Sequence, residues 1–368
     1  MTTATSMDPG NLGPNPRPAM APWQVPNPRR RLQLTLAAIL PAIVAVAVTA
    51  LFGVDVTLGV VLIWLPLQII TSVTVGRRIY GKKGVGDALL NIFTLFFSGV
   101  VAALLSSVLY SVISSGFKAM SWQFISQNSI YITPTTSLEY GGVGHAILGS
   151  LIMVGLTTLA TVPLGILVAV YLTETRDRAR TAVRTLVQAM SGLPSVVSGL
   201  FVYSALIATG IVRQGGWLGS LAMLPLMLPT VARVAEEALR LVPVELRNGA
   251  LALGAPAYRA FLQVTLPAAR SGLITAFILG IARVIGETAP LIVAVGTANG
   301  TVLDITKPMA ALPSYIYQFV SNSYDSSIQR AWGAALMILI LVAILFTAAR
   351  LVSSKKPGSK SSKRSKRK

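Results

Sequence analysis

Eight long apolar runs limit what this chain can become. They cover residues 33–53, 56–76, 88–114, 145–173, 194–213, 217–235, 271–297 and 331–352. A helix needs about 20 residues to cross a hydrocarbon core of about 30 Å. Backbone groups in lipid must pair within their own segment, which selects helices for runs of this length. They are too long and too continuously apolar to be barrel strands. The expected fold is therefore an all-α integral membrane protein with about eight transmembrane helices. Composition agrees, because 12% of the residues are charged where a soluble domain carries roughly 25%.

The basic residues predict the orientation. Arg29–Arg31 precede the first run, Arg77, Arg78, Lys82 and Lys83 follow the second, and Arg176, Arg178, Arg180 and Arg184 follow the fourth. Arg240, Arg247 and Arg259 lie between the sixth and seventh, and eight Lys and Arg residues fall between 355 and 368. With eight passages all of these fall on one side, while the weakly basic segments 115–144 and 298–329 fall on the other. Lys and Arg accumulate on the cytoplasmic side, so both termini are expected there. Residues 1–32 read as a tail rich in Pro, Asn and Gly, disordered and without the apolar core of a signal peptide. Residues 353–368 read as a basic tail that touches anionic lipid head groups.

Several functions are disfavoured. The net charge of +19 sits in clusters between apolar runs, without the aromatic-interleaved groove expected of a nucleic-acid binder. The chain has no cysteine and one histidine, His145, which leaves no disulfide, no thiolate chemistry and no multi-histidine metal site. His145 reads as a polar residue at the mouth of the fourth run. The Gly-x-x-x-x-Gly-Lys-Ser/Thr phosphate loop does not occur, so hydrolysis of ATP by that route is not expected of this chain. No cofactor is expected in it.

The stretch 236–270 is patterned like structure and not like a linker. Pro243 can open a helix, Gly254 can close it in a left-handed cap, and Pro256 can open a second helix toward Leu266. The first helix places Leu246, Ala250 and Leu253 on one face. The second carries Phe261, Leu262 and Val264 beside Arg259 and Arg270. Such an apolar stripe with basic flanks suits a groove on a partner protein, and equally an amphipathic hairpin on the membrane surface.

Residues 247–267, RNGALALGAPAYRAFLQVTLP, resemble the EAA loop of ABC-importer permeases. The family pattern is Glu-Ala-Ala, three residues, Gly, nine residues, Ile, one residue, Leu-Pro. Gly254, Leu266 and Pro267 fall in register, and Val264 stands for Ile. Asn248-Gly249-Ala250 replaces Glu-Ala-Ala and loses the acid. The runs GGVGHAI at 141–147, VPLGI at 162–166, YLTE at 171–174, GLPSVVSGLF at 192–201 and IARVIGETAPL at 281–291 are similar to the A-type permease of Pst phosphate importers. The resemblance covers about 88–352.

It implies a type I importer core of six helices over 84–352, preceded by an extra hairpin at 33–76. It implies that 236–270 couples to an ATPase through Asn248, Gly249, Ala250, Gly254, Val264, Leu266 and Pro267. The implied partners are a second permease subunit of the C type, an ATPase dimer that uses ATP and Mg, an extracytoplasmic phosphate-binding protein and membrane lipid. The implied location is the bacterial cell membrane. An importer of sulfate, molybdate or phosphonate is the nearest alternative, and a channel or scaffold a more distant one.

Charge inside a span marks the candidate pathway. A central charge costs about 2.5–3.5 kcal/mol on insertion scales, yet Arg283 and Glu287 both fall within the seventh run. At i, i+4 they can pair. They either neutralise one another or line a pathway in which Arg283 meets an anion; buried ion pairs stabilise weakly, which favours the second reading. Arg233 is a further anion-facing candidate, with snorkelling as its plain alternative. Pro194 and Ser195, at a break in helical regularity, are candidates for a gate, and equally an instance of the Gly and Pro that are common in spanning helices.

Overall fold

A computed structural model describes residues 28–53 and 55–354, and every regular element in it is helical. Of the expected tails 1–32 and 353–368, residues 28–32 and 353–354 are helical and the rest lie outside the described residues. The chain groups into two units that meet in sequence between Ser107 and Val108.

In the first unit, α1 runs from Pro28 to Phe52, so the arginines after Pro28 stand on a helix. Next come α2 over residues 56–80, with a π turn at Val60–Trp64, and α3 over residues 82–117, of which 108–117 belong to the second unit. Gly81, with φ 66° and ψ −150°, separates the two, in a region of backbone space that side chains other than hydrogen rarely permit. The chain doubles back there. A Cβ on Gly76 would lie 2.7 Å from the carbonyl oxygen of Gly84, whereas eight residues along one helix span about 12 Å. The rings of Trp64 and Phe96 stack at 6.2 Å across the same hairpin. Buried Gln68 donates to the Ala37 carbonyl at 3.2 Å and ties α2 to α1.

The second unit holds a short helix α4 (Trp122–Ser126), then α5 (Gly144–Glu174), α6 (Ala179–Ser191) and α7 (Ser195–Ile207). They are followed by α8 (Gly216–Arg240), α9 (Val244–Ala252), α10 (Ala257–Ala268) and α11 (Arg270–Val284). The last three are α12 (Ala289–Ala294), α13 (Leu312–Val320) and α14 (Asp325–Ser354).

Helix α8 is the axis of this unit. Its Val231 is fully buried between Gly165 of α5 and Gly280 of α11; Cβ atoms at those glycines would lie 2.7 and 2.6 Å from its methyls. Small residues let membrane helices approach in this way. Interhelical hydrogen bonds add to the packing, from Ser220 Oγ to Met153 O (3.1 Å) and from Thr157 Oγ1 to Ser220 O (3.2 Å).

Among the described residues, five helices are long and apolar enough to cross a membrane, and seven if the bent pairs α6–α7 and α10–α11 each count as one. The reversal at Gly81 divides the longest of the five. Two apolar runs are not the simple spans the sequence suggests. The run 194–213 is helical only to Ile207, about 20 Å of helix at 1.5 Å per residue, and α7 meets amphipathic α6 at 101°. The run 271–297 is broken at 285–288 between α11 and α12. Pro290, at the start of α12, has no N–H to continue the ladder across the break.

Candidate functional site

The first candidate site is the hairpin that follows α8. The helix continues to Arg240, so the turn proper begins at Leu241. Pro243 caps α9, Gly254 takes φ 86°, and Pro256 caps α10, which contains a π turn at Phe261–Thr265. The two prolines stand one position before the helices, where their fixed φ suits the extended cap.

The two helices are held differently. In α10, Ala260 and Thr265 are buried, as is Ala269 just beyond it, and Phe261 packs against the main core. In α9 no residue is buried. Its Leu246 is exposed and Leu253 is 90% exposed, with Asn248 and Gly249 also exposed and Ala250 partly so. A Cβ on Gly249 would meet nothing within 4 Å. Of the remaining hairpin candidates, Val264 and Leu266 are half-buried and Pro267 is exposed. The part of the stripe on α9 is therefore uncovered within this chain, while Phe261 of α10 is turned into the core.

A fork of charge ties the exposed helix down. Arg247 Nη1 donates to Glu174 Oε1 at 2.9 Å, and Nη2 lies 2.7 Å from Oε2. Glu174 is the last residue of α5. This bidentate geometry is the strongest form of the Arg–carboxylate pair, and it links α9 to the end of a membrane helix. The two residues are 73 positions apart, so no local spacing signals their contact.

Beside the hairpin lies a cleft of about 220 Å³ lined by Arg184, Gln188, Arg233, Glu236, Glu237 and Arg240 among others. Glu236 accepts from Arg184 at 2.6 Å and from Arg240 at 2.5 Å. Arg233 donates to Ser191 Oγ at 3.3 Å. It therefore stands at the elbow between α6 and α7.

The second candidate site is the break between α11 and α12. Arg283, in the last turn of α11, pairs with Glu287 in the break; their side chains are 46% and 11% exposed. Glu287 N–H turns back to the Val284 carbonyl at 3.1 Å. Pro194 caps α7 with φ −59° and ψ 134°. One turn further along α7, a Cβ on Gly199 would lie 2.6 Å from Pro290 Cα. The helices that begin at Ser195 and at Ala289 thus pack against one another just after their breaks. The elements bearing Pro194, Ser195 and Glu287 come together, while Arg233 belongs to the cleft.

His145, at the start of α5, is buried, and its ring meets Tyr315 edge-on at 5.8 Å. The sequence reading also passed over Arg330, which is fully buried. It stands one residue before the run 331–352, so its charge carried no signal of burial.

A family profile described as "Binding-protein-dependent transport system inner membrane component" matches residues 161–356, just over half of the chain. Phosphate transport system permease protein PstA 1 of Mycobacterium tuberculosis (strain ATCC 25618 / H37Rv) is 39% identical over 266 residues, covering 70% of this chain and 85% of that protein. PstA of Pasteurella multocida (strain Pm70) is 34% identical over 246 residues, covering 66% and 86%. PstA of Yersinia pestis is 35% identical over 251 residues, covering 68% and 83%. With that coverage and several helices fit to cross a membrane, the chain belongs to the multi-pass inner membrane components of binding-protein-dependent transport systems, in the group of the PstA permeases.

Proposed function

We propose that this chain is the permease subunit of an ATP-driven importer of inorganic phosphate. It forms half of the translocation pathway and carries no ATPase site of its own. The kinship with PstA permeases supports the substrate, and the uncovered apolar face of α9, anchored through Arg247 to the end of α5, carries the coupling role. In this reading α9 and α10 seat in one subunit of an ATPase dimer, which binds ATP and Mg. A second permease subunit completes the pathway, and an extracytoplasmic phosphate-binding protein delivers the anion. Both termini and the hairpin lie on the cytoplasmic side. Residues 33–76 form an extension on a core over 84–352.

The pathway would pass the break at 285–288, where Arg283 offers a guanidinium to the anion and Glu287 holds it in place when the anion is absent. The start of α7 at Pro194 and Ser195 faces the same passage. Arg233 would meet the anion later, at the cytoplasmic end.

The test is capture of the ATPase by tagged full-length chain from cross-linked membranes. Leu246→Asp with Leu253→Asp changes only exposed positions, so the permease should insert as before while ATPase recovery falls at least tenfold. Undiminished recovery would refute the docking role of α9.

A further inference from the structure

Three helices of the first unit line a cavity of about 290 Å³. Its wall on α2 is Gln68, Ser72, Gly76 and Tyr80, four positions on one helix face. On α3 the wall is Gly84, Ala88, Asn91 and Leu95, again one face, with Asp87 beside it. Leu34 and Ala37 of α1 form the third side. Nε2 of buried Gln68 donates to the Ala37 carbonyl at 3.2 Å and to Ser72 Oγ at 2.9 Å, which holds α1 and α2 in place as walls.

The cavity has open acceptors at its polar side. Asp87, Asn91 and Tyr80 are exposed. Among the described residues, no hydrogen bond or ion pair engages their side chains. Residues 28–107 contain two acids against seven Lys and Arg, yet no described base lines the cavity. The Asp87 charge is therefore left for something outside the chain. Asp87 directly precedes the apolar run 88–114, at the level where a spanning helix meets lipid head groups.

The lining selects among occupants. A bare metal ion takes several oxygen ligands, and Asp87 is the only carboxylate here. Leu34, Ala37, Ile92 and Leu95 would exclude a hydrated ion but suit an acyl chain. A primary ammonium carries one positive charge and three N–H donors, which Asp87, Asn91 Oδ1 and Tyr80 Oη can accept. A quaternary ammonium has no N–H to donate, and a glycerol head group has no positive charge. Exposed Lys83 stands four residues before Asp87, toward the hairpin tip at Gly81. Residues so spaced are neighbours about 5–6 Å apart between Cβ atoms. One anionic and one cationic side chain thus stand one turn apart, as the ammonium and phosphate of an ethanolamine head group require.

We propose that this cavity binds one phospholipid with a primary-ammonium head group, a phosphatidylethanolamine. Its ammonium sits on Asp87, Asn91 and Tyr80, its phosphate faces Lys83, and an acyl chain lies along Leu34, Ile92 and Leu95. The lipid seals the groove between α1 and the α2–α3 hairpin. This site does not depend on the transported substrate.

The experiment titrates the purified full-length chain in detergent with short-chain phosphatidylethanolamine, phosphatidylcholine or phosphatidylglycerol, and reads the unfolding midpoint and the lipid adducts in native mass spectrometry. A ligand that binds the folded state stabilises it by mass action, so phosphatidylethanolamine should give a saturable rise and a one-to-one adduct. The other two lipids should need at least tenfold more for half-saturation. Asp87→Asn should raise the half-saturating phosphatidylethanolamine concentration at least tenfold, and Asp87→Glu should retain most of the binding. Because Asp87 is exposed, neither variant should move the lipid-free midpoint. Ala38→Phe, which places a ring in the cavity, should abolish the response. Equal responses to the ethanolamine and choline lipids would overturn the proposal, as would unchanged half-saturation in Asp87→Asn. A preference for phosphatidylglycerol would assign binding to the basic hairpin tip alone and overturn it too.

Discussion

Breaking the fork between Arg247 and Glu174 should loosen the coupling between the hairpin and the membrane helices. The side chains are 32% and 23% exposed, so solvent screens the pair and its value lies well below that of a buried one. Bidentate geometry places it near the top of the range for exposed pairs, about 1 kcal/mol. At RT of 0.59 kcal/mol this is about a fivefold change in the ratio of seated to unseated hairpin. Arg247→Gln and Glu174→Gln should each lower phosphate uptake by about that factor in proteoliposomes of the assembled importer, with ATP hydrolysis falling less. The number of phosphates moved per ATP is the informative readout. Glu174→Arg combined with Arg247→Glu reverses the pair and should recover much of the loss. If both single variants transport like the wild type, or if the reversed pair is worse than either, the fork does not transmit motion.

Three other outcomes are expected. Gly280→Ala would place a methyl 2.6 Å from Val231 Cγ2 and 2.8 Å from Met227 Cε, an overpacking that costs about 1–3 kcal/mol; thermal unfolding should show the loss, and adding Val231→Ala should return part of it. Arg283→Gln should reduce phosphate import more than tenfold while the complex still assembles, with Arg283→Lys retaining more activity; equal losses of assembly would favour a purely structural pair. Asp304 is held below its ordinary pKa of 3.8, first by the Thr306 hydroxyl at 2.6 Å, then by the Thr306 N–H and Lys307. The contribution to the 304–307 turn is thus present above about pH 3.8 and fades as pH falls through the lower folded value, which amide exchange in that turn would follow.

Much of the hairpin was legible because its signals are local. Pro243, Gly254 and Pro256 each act on the backbone at their own position, and the structure turns and caps where they stand. The apolar runs were equally plain, since lipid demands internally paired helices whatever the neighbours are. The breaks were only half visible. Pro194 and Pro290 announce irregularity, but whether a proline bends a span or divides it depends on the packing around it. Here Gly199 against Pro290 draws two short helices together.

The sequence by itself determined that this chain crosses a membrane many times, which of its ends are basic, and that a helical hairpin follows the sixth run. These features arise from solvent preference and backbone chemistry, which act residue by residue. Only the tertiary structure decided that Arg247 meets Glu174, that Val231 sits between two glycines, and that Arg330 is sealed among carbonyls. Each of those contacts joins segments far apart in the chain, and no periodicity in the sequence encodes the distance between them.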